Sequence, residues 1–196
     1  MKKFEYKLSQ MTGAKVIQHF GDLKIEPYTN QDISPLLPIL HQEFPKWDKK
    51  RIKSYMGIVI KEDIKSSGVL TAMNESGYYV GILIYTFQQV SSEQLGCPKD
   101  NNLDKTYNIF VIENINSCIP ILQKKIFMTL VDTAVNIAKT NGCNYMELPT
   151  LATEGYELIR EKYQDCVMGS KTFRTYIKIS NIDTERPDID TERPEL

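Results

Sequence analysis

Cysteine is scarce in this chain of 196 residues: Cys97, Cys118, Cys143 and Cys166 stand far apart, with no Cys-x-x-Cys pair. That excludes a disulfide framework or a zinc ribbon and leads us to expect reduced thiols in a cytoplasmic protein. Long apolar runs are missing as well. No segment reaches the uninterrupted length of a membrane span, and the basic start Met1-Lys2-Lys3 lacks the apolar stretch that a secretory signal needs. Neither sign of charge prevails, with 24 Lys and Arg against 25 Asp and Glu for a formal net charge of -1. No broad field then draws in a phosphate backbone or an anionic bilayer, so neither nucleic acid nor membrane is an expected partner. With only His19 and His41 present, neither a nucleophilic triad nor a metal site is legible.

What the chain does have is enough apolar material for one core: 41% of residues are hydrophobic and 25% charged. The expected layout is an added arm over residues 1–21, one domain over 22–180 and a disordered tail over 181–196. The tail repeats Ile182-Asp183-Thr184-Glu185-Arg186-Pro187-Asp188 as Ile189-Asp190-Thr191-Glu192-Arg193-Pro194-Glu195, a charged tandem heptad that cannot bury a core.

Within the domain, alternation at 23–28 predicts a strand, and Ile33, Leu36, Leu37, Leu40 and Phe44 predict a helix that Pro38 kinks or delays. A second amphipathic helix follows over 48–64. Strands at 68–73 and 78–90 flank the turn Asn74-Glu75-Ser76-Gly77, and a polar connection over 91–105 leads to a strand at 106–112. Ile126, Leu130, Ala134 and Ala138 then step every four residues through a helix over 120–140 that stops at Asn141-Gly142. A strand at 145–148, a helix at 153–162 and a strand at 171–179 complete the series.

This order, together with Tyr107-Asn108-Ile109-Phe110-Val111-Ile112 before a long helix bearing Ala138 and Gly142, resembles the GCN5-related N-acetyltransferase (GNAT) family. Glu154 to Lys162 is similar to that family's helix ending Leu-Tyr-x-Lys, with Ile159 at the Leu and Lys162 at the Lys. Arg160 stands where the family often has a catalytic tyrosine. The resemblance implies an α/β fold with a mixed, mostly antiparallel twisted sheet of about six to seven strands flanked by about four helices. It also implies acetyl-CoA, or another acyl-CoA, as donor to an unidentified primary amine, with a homodimer as one arrangement. The family's glycine-rich pyrophosphate turn falls on Leu122, Lys125 and Phe127 here, so that signature is absent. Hence the other expectation, a catalytically inactive GNAT-like scaffold that serves protein interaction.

On the enzyme reading, the backbone of Phe110, Val111 and Ile112 meets the acyl and pantetheine portions. Asn116 and Ser117 donate hydrogen bonds to the pyrophosphate, and Lys124 and Lys125 supply point charges where the glycines are lost. Glu113 is the first candidate general base and Glu147 the second. Tyr156, one helical turn before Arg160, is the candidate acid for the leaving thiolate. Each has a plain structural alternative: sheet hydrogen bonding for the strand, solvated charges for the lysines and carboxylates, packing for the tyrosine.

Overall fold

The computed structural model describes residues 23–60, 66–95, 105–117, 123–150, 153–169 and 174–182. The added arm, His19, Cys97, Cys118 and the tandem heptad beyond Ile182 lie outside them. Seven strands form one sheet in the order β1-β2-β3-β4-β5-β7-β6: β1 Lys24–Pro27, β2 Ser67–Met73, β3 Tyr79–Ser91, β4 Thr106–Ser117, β5 Tyr145–Leu148, β6 Val167–Gly169 and β7 Thr175–Lys178. Every neighbouring pair is antiparallel except β4 and β5, which run parallel. Among the described residues there are five α-helices: α1 Leu37–Glu43, α2 Lys49–Val59, α3 Ser92–Leu95, α4 Gln123–Thr140 and α5 Thr153–Tyr163.

Local chemistry explains most boundaries. Pro38 delays the first helix: Ser34–Leu36 forms a 3-10 turn before α1 begins. Asp48 caps α2, its carboxylate accepting the Arg51 N–H at 2.7 Å. The turn after β2 closes on Asn74, whose side chain accepts from the N–H groups of Ser76 and Tyr78, and Gly77 takes φ 78°. At the end of α4, Gly142 sits at φ 67° and the Cys143 N–H bonds the Ala138 carbonyl, a left-handed stop that a side chain would strain.

Three differences from the sequence expectations matter. The strand expected to end at Ile112 runs on to Ser117, because β3 is long enough to pair with all of it. The three-residue β6 was not anticipated, since a strand so short has no readable periodicity. The polar connection after β3 starts with the single-turn α3, whose Leu95 is fully buried and makes the fifth helix.

The apolar stripe of α4, from Ile126 through Leu130 and Ala134 to Ala138, is fully buried with Ile159 and Tyr163 of α5 against one face of the sheet. Each buried Ile or Leu there contributes roughly 1.5–3 kcal/mol. The close fit needs Gly81 on β3, where an added Cβ would stand 2.4 Å from Ile126 Cγ2. On the opposite face α1 and α2 cover Val69, Ile82 and Ile84. Leu95 joins Tyr107, Ile109, Val111, Tyr145 and Tyr176 in a third cluster.

Candidate functional site

The site begins with an irregularity in β4. Ile84 pairs with Asn114 and the next residue, Tyr85, pairs with Ile112, which leaves Glu113 as the extra residue of a β-bulge. A bulge bends its strand and re-aims its side chain. Its consequence is legible in the packing: Phe110 and Ile112 belong to the core under α4, and three residues on from Ile112, Ile115 packs against the same core.

The parallel pairing stops at the same place. β4 and β5 pair only at Ile109 with Tyr145, Phe110 with Met146 and Val111 with Glu147. Beyond that rung β4 continues to Ser117 with β3 alone, so among the described residues no strand covers its other edge from Ile112 onward. Between the parted strands lies a cleft of about 460 Å³ reached by Val111, Ile112, Glu113, Glu147, Tyr156 and Arg174. Pro149 and Thr150, which follow β5, and Thr175 complete its far wall.

Glu113 is exposed and its carboxylate accepts the Thr86 hydroxyl at 2.9 Å. The Gln88 amide in turn donates to Thr86 Oγ1 at 3.2 Å. One carboxylate oxygen is thereby oriented by a neutral chain, and among the described residues no cation pairs with Glu113. It is also close enough to α2 that its charge, after burial, helps raise the Tyr55 hydroxyl above its ordinary pKa. Glu147 differs. Arg174 Nη1 lies 2.9 and 3.1 Å from its two oxygens, and the ion pair leaves the Glu147 side chain only 14% exposed. Burial first, and then the negative charge of Glu147, push the Tyr176 hydroxyl up to about 12. The negative charge of Glu147 likewise holds the Arg174 guanidinium above its usual range.

Of the residues singled out from the sequence, Val111, Ile112, Glu113, Glu147 and Tyr156 line this one cleft. Phe110 does not: it is fully buried, ring against Tyr85 and Phe87, and its backbone is paired on both sides, with Phe87 and with Met146. The strands are still paired there, and Phe110 is not among the residues that line the cleft. Asn116 and Ser117, expected in a loop, end β4 opposite Ile82 and Gly81. The Asn116 amide donates to Glu43 at 3.0 Å, as does that of Asn114, which ties β4 to the end of α1. Lys124 and Lys125 are exposed in the first turn of α4 and do not reach the cleft. Arg160 is exposed on α5, also away from it. Sequence reasoning missed Arg174 and Thr150, which carry no motif. An arginine just before a β-strand was the only available sign.

No helix among the described residues is long and apolar enough to cross a membrane, and no group of three or more His, Cys, Asp or Glu there is arranged to hold a metal ion. No protein-family model matches the sequence, and no curated protein matches it. Solved structures share its architecture. AAC(6')-Iy in complex with the bisubstrate analogue CoA-S-monomethyl-acetylneamine is 14% identical over 88% of this chain and 99% of that one, with a TM-score of 0.55. The aminoglycoside 6'-N-acetyltransferase AAC(6')-Ih from Acinetobacter baumannii is 15% identical over 72% and 88%, with a TM-score of 0.52. AtaT complexed with acetyl-methionyl-tRNAfMet is 11% identical over 81% and 96%, with a TM-score of 0.54. At these identities the likeness is one of fold.

Proposed function

We propose, for a chain that has the GNAT fold, that it is an N-acyltransferase carrying an acetyl or other acyl group from acyl-CoA to a primary amine by direct attack. The observation that carries this reading is the coincidence of the Glu113 bulge with the parting of β4 from β5, which opens a strand edge and aims a carboxylate at the same opening.

Acyl-CoA is the donor substrate, and the open edge of β4 from Ile112 onward suits it. Peptide groups without a strand partner favour an extended, amide-containing chain laid alongside, and an N–H directed at a thioester carbonyl stabilises the oxyanion formed on attack. Glu113 takes a proton from the acceptor ammonium, directly or through a water, while Thr86 holds the carboxylate in place. The freed amine forms the new C–N bond as the C–S bond breaks, the thiolate receives its proton from the Tyr156 hydroxyl at the cleft wall, and the surplus proton on the new amide nitrogen returns to the Tyr156 phenolate. Arg174 occupies both oxygens of Glu147, which argues for Glu113 over Glu147 as the base.

A thermal melt with saturating acetyl-CoA tests the donor assignment. At one hundred times Kd, ligation stabilises by about 2.7 kcal/mol, which raises Tm by several degrees in a domain of this size. A second reading has an observation of its own, the missing glycine signature at Leu122, Lys125 and Phe127. On it the chain is an inactive scaffold that binds protein or pairs with a second copy. It predicts an unchanged Tm at millimolar acyl-CoA.

A further inference from the structure

A formal net charge of -1 averages away one feature of the surface. Lys46, Lys49, Lys50, Arg51 and Lys53 place five cations within eight residues at the start of α2, against the single carboxylate of Asp48. All five are exposed, and among the described residues none forms an ion pair within 4.0 Å. Asp48 itself is engaged as the helix cap. The helical repeat sets Lys49 and Lys53 on one flank, where Asp32 feels their charge, Lys50 on the outer face, and Arg51 with Tyr55 on another flank.

Arg51 is the ordered member. Its guanidinium lies 4.3 Å from the centre of the Trp47 ring, and Phe44 stacks on the same indole at 4.5 Å. Trp47 meets Tyr55 edge-on at 5.6 Å, and Tyr55 in turn senses Glu113. Ring contacts therefore join Arg51 through Trp47 to Tyr55. A guanidinium packed over a ring loses less freedom on gripping a phosphate with two N–H groups, and the lysines around it add point charges. Only one large, well-exposed apolar residue, Ile58, shares the helix, too little to accompany insertion into a bilayer.

We propose that the exposed start of α2, from Lys46 to Lys53, is a docking surface for RNA, whose phosphates it holds so that an amine carried on the RNA reaches Glu113. The proposal rests on the acyltransfer reading for the second part and stands apart from it for the first. The number of the cations, spread around the exposed start of the helix, suits several phosphates of a backbone better than one phosphate of a small metabolite.

The test uses the full chain without acyl donor, with fluorescently labelled total transfer RNA as the probe and anisotropy as the readout across a salt series. Wild type is expected to bind with a logarithmic salt slope of several units. The Lys50→Ala, Arg51→Ala, Lys53→Ala triple variant is expected to bind at least about tenfold more weakly, with the slope reduced by roughly two to three. All three side chains are exposed and none lines the cleft, so its response to acetyl-CoA should match wild type, and only the Arg51 contact with Trp47 is lost from the fold. No binding by wild type, or equal binding by the triple variant, overturns the proposal. So does equal affinity for phosphatidylserine vesicles, or displacement of the RNA by polyglutamate as readily as by unlabelled RNA. RNA binding with no acetyl-CoA stabilisation keeps the surface and removes the transfer step; the converse keeps the enzyme and removes the surface.

Discussion

Glu113 and Glu147 face the same cleft from two strands, yet the fold treats them in opposite ways. Glu147 lies on the regular, paired part of β5, locked on Arg174 and close to the Tyr176 hydroxyl. Glu113 lies on an irregularity of β4, exposed, oriented only by a threonine hydroxyl and unpaired by any cation among the described residues. The two carboxylates thus differ in what they are free to contact: both oxygens of one are taken by a guanidinium, whereas the other is held by a single hydroxyl and stays accessible to a substrate.

Exchanging the two carboxylates one at a time gives the largest separation. Glu113→Gln should lower kcat/KM for acyl transfer on the order of a hundredfold or more with little change in melting temperature, since an exposed carboxylate loses only a weak hydrogen bond. Glu147→Gln should lower Tm measurably and turnover only severalfold; the reverse pattern in steady-state kinetics would exchange their roles. A smaller effect is expected at Tyr156, where replacement by Phe should cost on the order of tenfold in kcat and leave KM for the donor unchanged. A raised KM for the donor with kcat unchanged would make it a binding residue.

The smallest effect concerns the locked side alone and is read in alkali. The Tyr176 pKa is raised in the fold to about 12 from an unperturbed 10, so the folded state binds the proton more tightly than the unfolded state between those values. Its contribution is fully present below pH 10 and declines as pH rises through 12. Tyr176→Phe should therefore flatten the fall of chemical-denaturation midpoints between pH 10 and pH 12, and an identical slope in both proteins would remove Tyr176 from the account.

Much of the scaffold was legible in the sequence because it rests on repeated choices. The four-residue steps of Ile126, Leu130, Ala134 and Ala138 are the fully buried stripe of α4, and Gly142 ends that helix at a positive φ. The turn at Asn74 to Gly77 was equally readable from residue types that act locally. Within the cleft the residues at the strand ends and Tyr156 were found, whereas the geometry joining them was not. A bulge adds one residue without changing composition, so Glu113 read as lying beyond a strand that in fact continues to Ser117. Pattern alone does not say where β4 and β5 part, so the sequence did not separate Phe110, still paired with Met146, from the residues that line the cleft. Arg174 was missed because its partner stands 27 positions earlier and meets it only across the sheet.

The central claim is that acyl-CoA lies along the open edge of β4 beyond its last rung with β5. Amide hydrogen–deuterium exchange, with and without saturating acetyl-CoA, tests it residue by residue. The account predicts added protection at Ile112–Ser117 and none at Tyr145–Glu147, whose amides are already covered by neighbouring strands. Protection of the second segment without the first, or of neither, would contradict it.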